Sequence, residues 1–251
     1  MKKIYFTLVS LVLVSSTYAH DFWVDGYNSS TFKAHIGYGH GFPHPEKIAE
    51  DKLDIFESLV ILDKDLKNIV LKSKGENYQH NTKNSLEDGT YILKGSTKNV
   101  YWTKTKDNKW EMGKTKQDIK DAQYCDQVSK FSKSIINIGD DDNLFVTKPI
   151  GEKFEIIPLD NPANFKVGEP FKVQVLLDGK PAKTIKIKGT FASNTKHQFA
   201  FYGTTDLRGK IEITPLRGGK WILMTESTRA LKNTTKCDNE FNYATLVFNI
   251  K

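Results

Sequence analysis

From Phe32 to Tyr38 apolar side chains occupy every second position. Phe32, Ala34, Ile36 and Tyr38 share one face and Lys33, His35 and Gly37 the other, which is the period of a half-buried strand. The same beat predicts strands over residues 55–62 and 66–71, joined at Asp63-Lys64-Asp65. A second pair is predicted over residues 89–93 and 99–103, around Gly95-Ser96. One stretch breaks the pattern. In residues 117–136, Ile119, Ala122, Val128, Phe131 and Ile135 recur at three- and four-residue intervals or their multiples, and Gly139 follows as a stop. That spacing predicts a helix. Gly139-Asp140-Asp141-Asp142-Asn143 lacks the ligand spacing of a calcium loop and reads as a solvated turn.

Past residue 150 the composition shifts. Residues 154–162 carry Pro158 and Pro162, and residues 169–177 then alternate Phe171, Val173, Val175 and Leu177. Turns at Asp178-Gly179-Lys180-Pro181, Thr205 to Gly209 and Gly218-Gly219 separate further short apolar runs over 184–191, 210–213, 221–224 and 243–250. Short strands at such spacing predict β-sandwich architecture. The expected fold is therefore mainly β: two β-sandwich domains, residues 20–150 and 151–251, with one short linking helix.

The first 19 residues read as an export signal. Lys2 and Lys3 precede an apolar run over residues 4–14, and Thr17 and Ala19 supply the small residues at −3 and −1 of a cleavage site. Cleavage after Ala19 would make His20 the new N-terminus. No later segment approaches 18 apolar residues, so no stable membrane insertion is expected. No cysteine follows the signal to carry a lipid.

The formal charge is +7 over 251 residues. The lysines are scattered and form no basic run interleaved with aromatics, so no nucleic acid partner is expected. Two cysteines, Cys125 and Cys237, in an exported chain predict one disulfide. Closing a loop of roughly 110 residues would stabilise by about 4–5 kcal/mol in the chain-entropy account. A thiolate metal pair is the rival reading and needs reducing conditions.

Histidine supplies the candidate chemistry. Four of the six histidines, His20, His35, His40 and His44, lie within 25 residues of one another. A processed His20 would offer its α-amine and a ring nitrogen in one chelate, a donor pair that suits Ni(II) or Cu(II). His40 and His44 flank Gly41-Phe42-Pro43, where proline fixes its own φ and glycine permits a tight turn. Both rings could then face one point. His35 lies on the polar face of its strand. A histidine in an aromatic, glycine-rich loop is more often a surface or packing residue; His80, among polar residues, and His197, in the second domain, are read as solvent-exposed. No Gly-x-Ser-x-Gly elbow, His-Glu-x-x-His, phosphate loop or Cys-x-x-Cys is present, so no enzyme activity is expected.

These residues resemble an exported accessory family of nickel and cobalt uptake, linked to energy-coupling-factor type transporters. The resemblance rests on Ala19-His20-Asp21-Phe22-Trp23, Gly39-His40-Gly41-Phe42-Pro43 and residues 129–139, where the family has a helical linker. It continues through residues 155–162, Leu177 to Pro181, Thr205-Asp206 with Gly209, and Gly219-Lys220-Trp221. It implies a periplasmic protein that binds Ni(II) or Co(II) and presents it to inner-membrane transporter components. His20 would be the terminal ligand and His40 the loop ligand, with a transthyretin-like or Ig-like second domain. His44 is added from spacing, since many relatives lack it. Other readings of the same ligands are a copper chaperone or a histidine-brace copper oxidase. An adhesion-type sandwich protein is the reading that needs no metal.

Overall fold

The computed structural model describes residues 20–194 and 199–251; the signal segment and His197 lie outside them. The first half contains β1 (Asp21–Asn28), β2 (Phe32–Gly39), β3 (Val60–Leu62), β4 (Asn68–Val70), β5 (Lys72–Ser73) and β6 (Gln79–Asn81). It continues through β7 (Gly89–Ser96), β8 (Val100–Thr105), β9 (Trp110–Met112) and β10 (Ala122–Ile138). The second half has β11 (Phe154–Pro158), β12 (Phe171–Leu177), β13 (Lys180–Pro181) and β14 (Lys186–Phe191). β15 (Phe201–Thr204), β16 (Lys210–Ile213), β17 (Gly219–Ala230) and β18 (Asn239–Ile250) follow. Helix among the described residues is limited to short 3-10 turns such as Glu50–Ile55 and Leu144–Thr147. None of it is long and apolar enough to cross a membrane.

The chain is mainly β, as its periodicity predicts. The predicted helix over 117–136 is not formed: residues 122–138 are the long strand β10. It pairs in parallel with β18, from Asp126↔Asn239 to Ser134↔Val247, and antiparallel with β7 and β8. Burial on both sides of the strand is the reason for the misreading. Phe131 and Ile135 pack with the core on one face and Ile136 with the core on the other. Apolar residues therefore appear at irregular intervals, and a short apolar pattern does not separate helix from a doubly buried strand. Gly139, at φ +68°, ends a strand and not a helix.

Three sheets stack. A ten-stranded middle sheet runs β15-β14-β17-β18-β10-β7-β3-β4, with β8 and β9 continuing from β10. One face meets the β11-β12-β13/β16 sheet through Phe154, Ile156, Val173 and Val175 against Leu223, Leu246 and Phe248. The other face meets the β1-β2-β6-β5 sheet through Phe22, Val24, Phe32 and Ile36 against Ile61, Leu93, Ile222 and Val247. Two sandwich interfaces thus share one sheet, and that sheet draws strands from both sides of residue 150. Continuous burial along Asn242–Phe248 follows from it, because a strand covered on both faces has no solvent side to alternate with.

Cys125, at the start of β10, is bonded to Cys237, just before β18; both are buried. Their Cα atoms are 4.5 Å apart across a separation of 112 residues. The predicted disulfide is formed.

β1 lies at the edge of its sheet, and the middle sheet's side chains take up its free backbone groups. Val24 donates its N–H to Ser132 Oγ at 2.9 Å, and Phe22 C=O accepts from Thr245 Oγ1 at 2.9 Å. The Asp25 carboxylate accepts from Lys220 Nζ and has Ser134 Oγ at 3.4 Å. Residues 22–26 are all buried as a result, and the edge carries no orphaned ladder groups at these points.

Candidate metal centre

The β1–β2 hairpin places the two histidines that matter most. Asp21 pairs with Gly39 at the end of the ladder, so the next residue outward on each strand is His20 and His40. Their rings are stacked, with centroids 5.0 Å apart and planes 20° from parallel. His20 also stacks on Tyr38 at 5.0 Å and 18°. Tyr38 is held from beneath by Phe56, edge-on at 5.3 Å. Close packing continues elsewhere in the hairpin. Trp23 covers Gly37, where a Cβ would come within 1.8 Å of the indole, and Phe42 meets Trp23 edge-on at 5.7 Å.

The surroundings favour the neutral form of the His20 imidazole. Its pKa lies below the ordinary value, chiefly through burial and then through the charges of Lys52, His40 and Lys130, with Glu46 opposing. A neutral ring is the form that binds a metal. Glu46 folds back over the hairpin end: a Cβ on Gly39 would sit 3.2 Å from its Oε1. Lys130, on β10, donates from Nζ to the His20 carbonyl at 2.5 Å. Tyr243, on β18, donates its hydroxyl to Asp21 Oδ1 at 2.8 Å.

The four predicted histidines are not gathered together. His20 and His40 meet. His44 is exposed on the loop after β2, its N–H donating to the Gly41 carbonyl at 2.7 Å. His35 pairs with Asp25 in the ladder and stands on the opposite face of β2 from Tyr38. It lines a cleft of about 650 Å³ with Tyr27, Lys33, Gln79 and Asn81. Its buried Nε2 has no hydrogen-bond partner, and burial lowers its pKa against the pull of Asp25. His80, expected at the surface, is half-buried, with a buried Nδ1 that also lacks a partner. Among the described residues no group of three or more His, Cys, Asp or Glu is placed to enclose a metal ion. The site therefore offers two imidazoles, and the α-amine of a processed His20 would be its third nitrogen.

Lys130, Tyr243 and Asp21 were not singled out by sequence reasoning. Lys130 alone leaves a trace, in the alternation Lys130, Ser132, Ser134 on one face of β10, which the helical reading conceals.

Residues 17–229 match the family model described as Domain of unknown function (DUF4198). The chain belongs to that family. Among solved structures, the D0-D1 domain of Intimin is similar at 13% identity, covering 91% of this chain and 97% of that one with a TM-score of 0.22. No curated protein matches the chain.

Proposed function

We propose that this protein binds a transition-metal ion, nickel first and cobalt second, as cargo for a membrane uptake transporter, and that it works in the periplasm. The observation that carries the reading is the stacked pair His20–His40 at the open end of the hairpin, beside the predicted cleavage point. Cleavage after Ala19 would release an amine on the residue whose ring already lies against His40. Amine and ring of His20 then form one chelate, and His40 supplies a third nitrogen from an exposed loop. An exposed ligand is one that a receiving protein can displace, which suits delivery over storage. The leader and the family resemblance support export and a transporter partner.

The test is a titration of mature protein beginning at His20 with Ni(II). One ion per chain is expected, with loss of binding in His20→Ala and His40→Ala and weakened binding when one residue is added before His20. Full-strength binding by His20→Ala would falsify the reading.

The donor count favours one second reading. Two imidazoles and an amine are also a ligand set for Cu(II), as in a copper chaperone or a histidine-brace oxidase. Competition between Ni(II) and Cu(II) for the mature protein separates cargo identities. Peroxide formation from copper-loaded protein with ascorbate would mark the oxidase.

A further inference from the structure

Lys130 is 5% exposed on the middle sheet, 110 residues along the chain from His20. An ammonium so deeply placed is costly unless compensated. Its compensation is specific. Nζ donates to the His20 carbonyl at 2.5 Å and lies 5.2 Å from the Tyr38 ring centre and 5.5 Å from that of Tyr243. Both distances fall within cation–π range. Tyr243 in turn fixes Asp21 through its hydroxyl, and Thr245 fixes the Phe22 carbonyl. Three consecutive residues, His20, Asp21 and Phe22, are thus each tied to β10 or β18.

A packing role alone does not call for a cation here, since a methionine would fill the same space without desolvation. What the cation adds is a fixed carbonyl at residue 20. The ladder of β1 begins at Asp21, and a terminal residue frays unless it is tied down. In a residue meant to offer both its amine and its ring, the carbonyl is the one polar group left for an anchor.

On the reading that His20 is a metal ligand, we propose that Lys130 is the positioning residue of the site: it clamps the His20 carbonyl so that amine and imidazole are held toward His40. Tyr38 and Tyr243 form the walls of the socket that holds the clamp. Asp21 offsets part of the charge of Lys130, and Glu46 acts against Lys52 and Lys130 at the His20 ring. Partners of this kind, one step removed from the metal, are typically worth 10- to 100-fold in affinity.

The experiment compares mature wild type with Lys130→Met, Lys130→Gln and Tyr243→Phe. Ni(II) affinity is measured together with metal-free melting and the electron paramagnetic resonance spectrum of the Cu(II)-loaded protein. Lys130→Met is expected to bind Ni(II) at least about tenfold more weakly and to show a broadened or mixed Cu(II) signal. Its metal-free melting should stay near that of wild type. Lys130→Gln keeps an N–H donor and should fall between the two. Tyr243→Phe keeps the ring and loses only the bond to Asp21, so it should weaken binding less than Lys130→Met and remains informative if the lysine variants fail to fold. Lys130→Met binding as tightly as wild type, or tighter, with an unchanged Cu(II) spectrum would overturn the proposal. Normal binding by His20→Ala in the same series would instead overturn the ligand assignment beneath it.

Discussion

At the scale of single residues, histidine burial has a thermodynamic consequence separate from metal binding. His35, His80 and His20 each have pKa values lowered from 6.5, with burial the first cause in every case. Below pH 6.5 the unfolded chain takes up protons that the folded chain refuses, so the histidines' contribution to stability falls as pH drops through that point and is level above it. The metal-free protein should melt at a lower temperature at pH 5 than at pH 7, above the range where carboxylates titrate. His35→Gln should flatten that slope. An unaltered slope in the variant would mean that His35 does not contribute. Gly37 makes a second residue-scale prediction. A methyl there would press into the Trp23 indole, so Gly37→Ala should cost about 1–3 kcal/mol in urea unfolding.

At the scale of elements, β10 joins both halves of the structure and its polar residues are its fastenings. Lys133 and Glu155 form an ion pair at 2.8 Å, with side chains only 3% and 2% exposed, linking the middle sheet to β11. Removing one partner leaves a buried charge alone. Lys133→Met should therefore cost about 3–5 kcal/mol, and the double variant with Glu155→Leu should recover most of that loss. Equal losses for the single and the double variant would show that packing, not charge, holds the two sheets together at this point. The same strand shows where legibility in the sequence stopped. β2, β3, β4 and β12 are visible because each alternates against a solvent face or is bounded by turn residues. β10 is not, because its lysines and serines are buried by partners far away in sequence: Lys130 by His20, Ser132 by Val24, Lys133 by Glu155. A polar residue reads as exposed until its partner is known. His20 and His40 were legible from the leader and the glycine-rich loop. The placement of His35 away from them depends on strand parity relative to the ladder end, which no single-strand pattern carries.

At the scale of the whole molecule, the disulfide fastens the start of β10 to the start of β18, the two strands that run side by side in parallel. It closes a loop containing most of the second half. In the chain-entropy account, a loop of this length stabilises by about 4–5 kcal/mol, so reduced protein, or Cys125→Ser with Cys237→Ser, should unfold at a markedly lower urea concentration. An unchanged midpoint would show that closing this loop contributes nothing net to stability. The three-sheet stack also explains why the sandwich pattern divides near residue 150 in sequence while the middle sheet does not divide there in space.

The parallel pairing of β10 with β18 sets an order of assembly. β18 lies between β10 and β17, so the middle sheet stays in two pieces until residues 239–250 arrive. Pairings over such separations form slowly, because the intervening loop must close first. Tyr243 and Thr245, which hold Asp21 and Phe22, belong to that late strand. Residues 21 and 22, near the start of the described chain, would thus be among the last to be fastened. On the proposed reading, a chain halted before residue 239 would carry His20, His40, Tyr38 and Lys130 yet lack the Tyr243 wall of the socket, so full-strength metal binding would await the last strand.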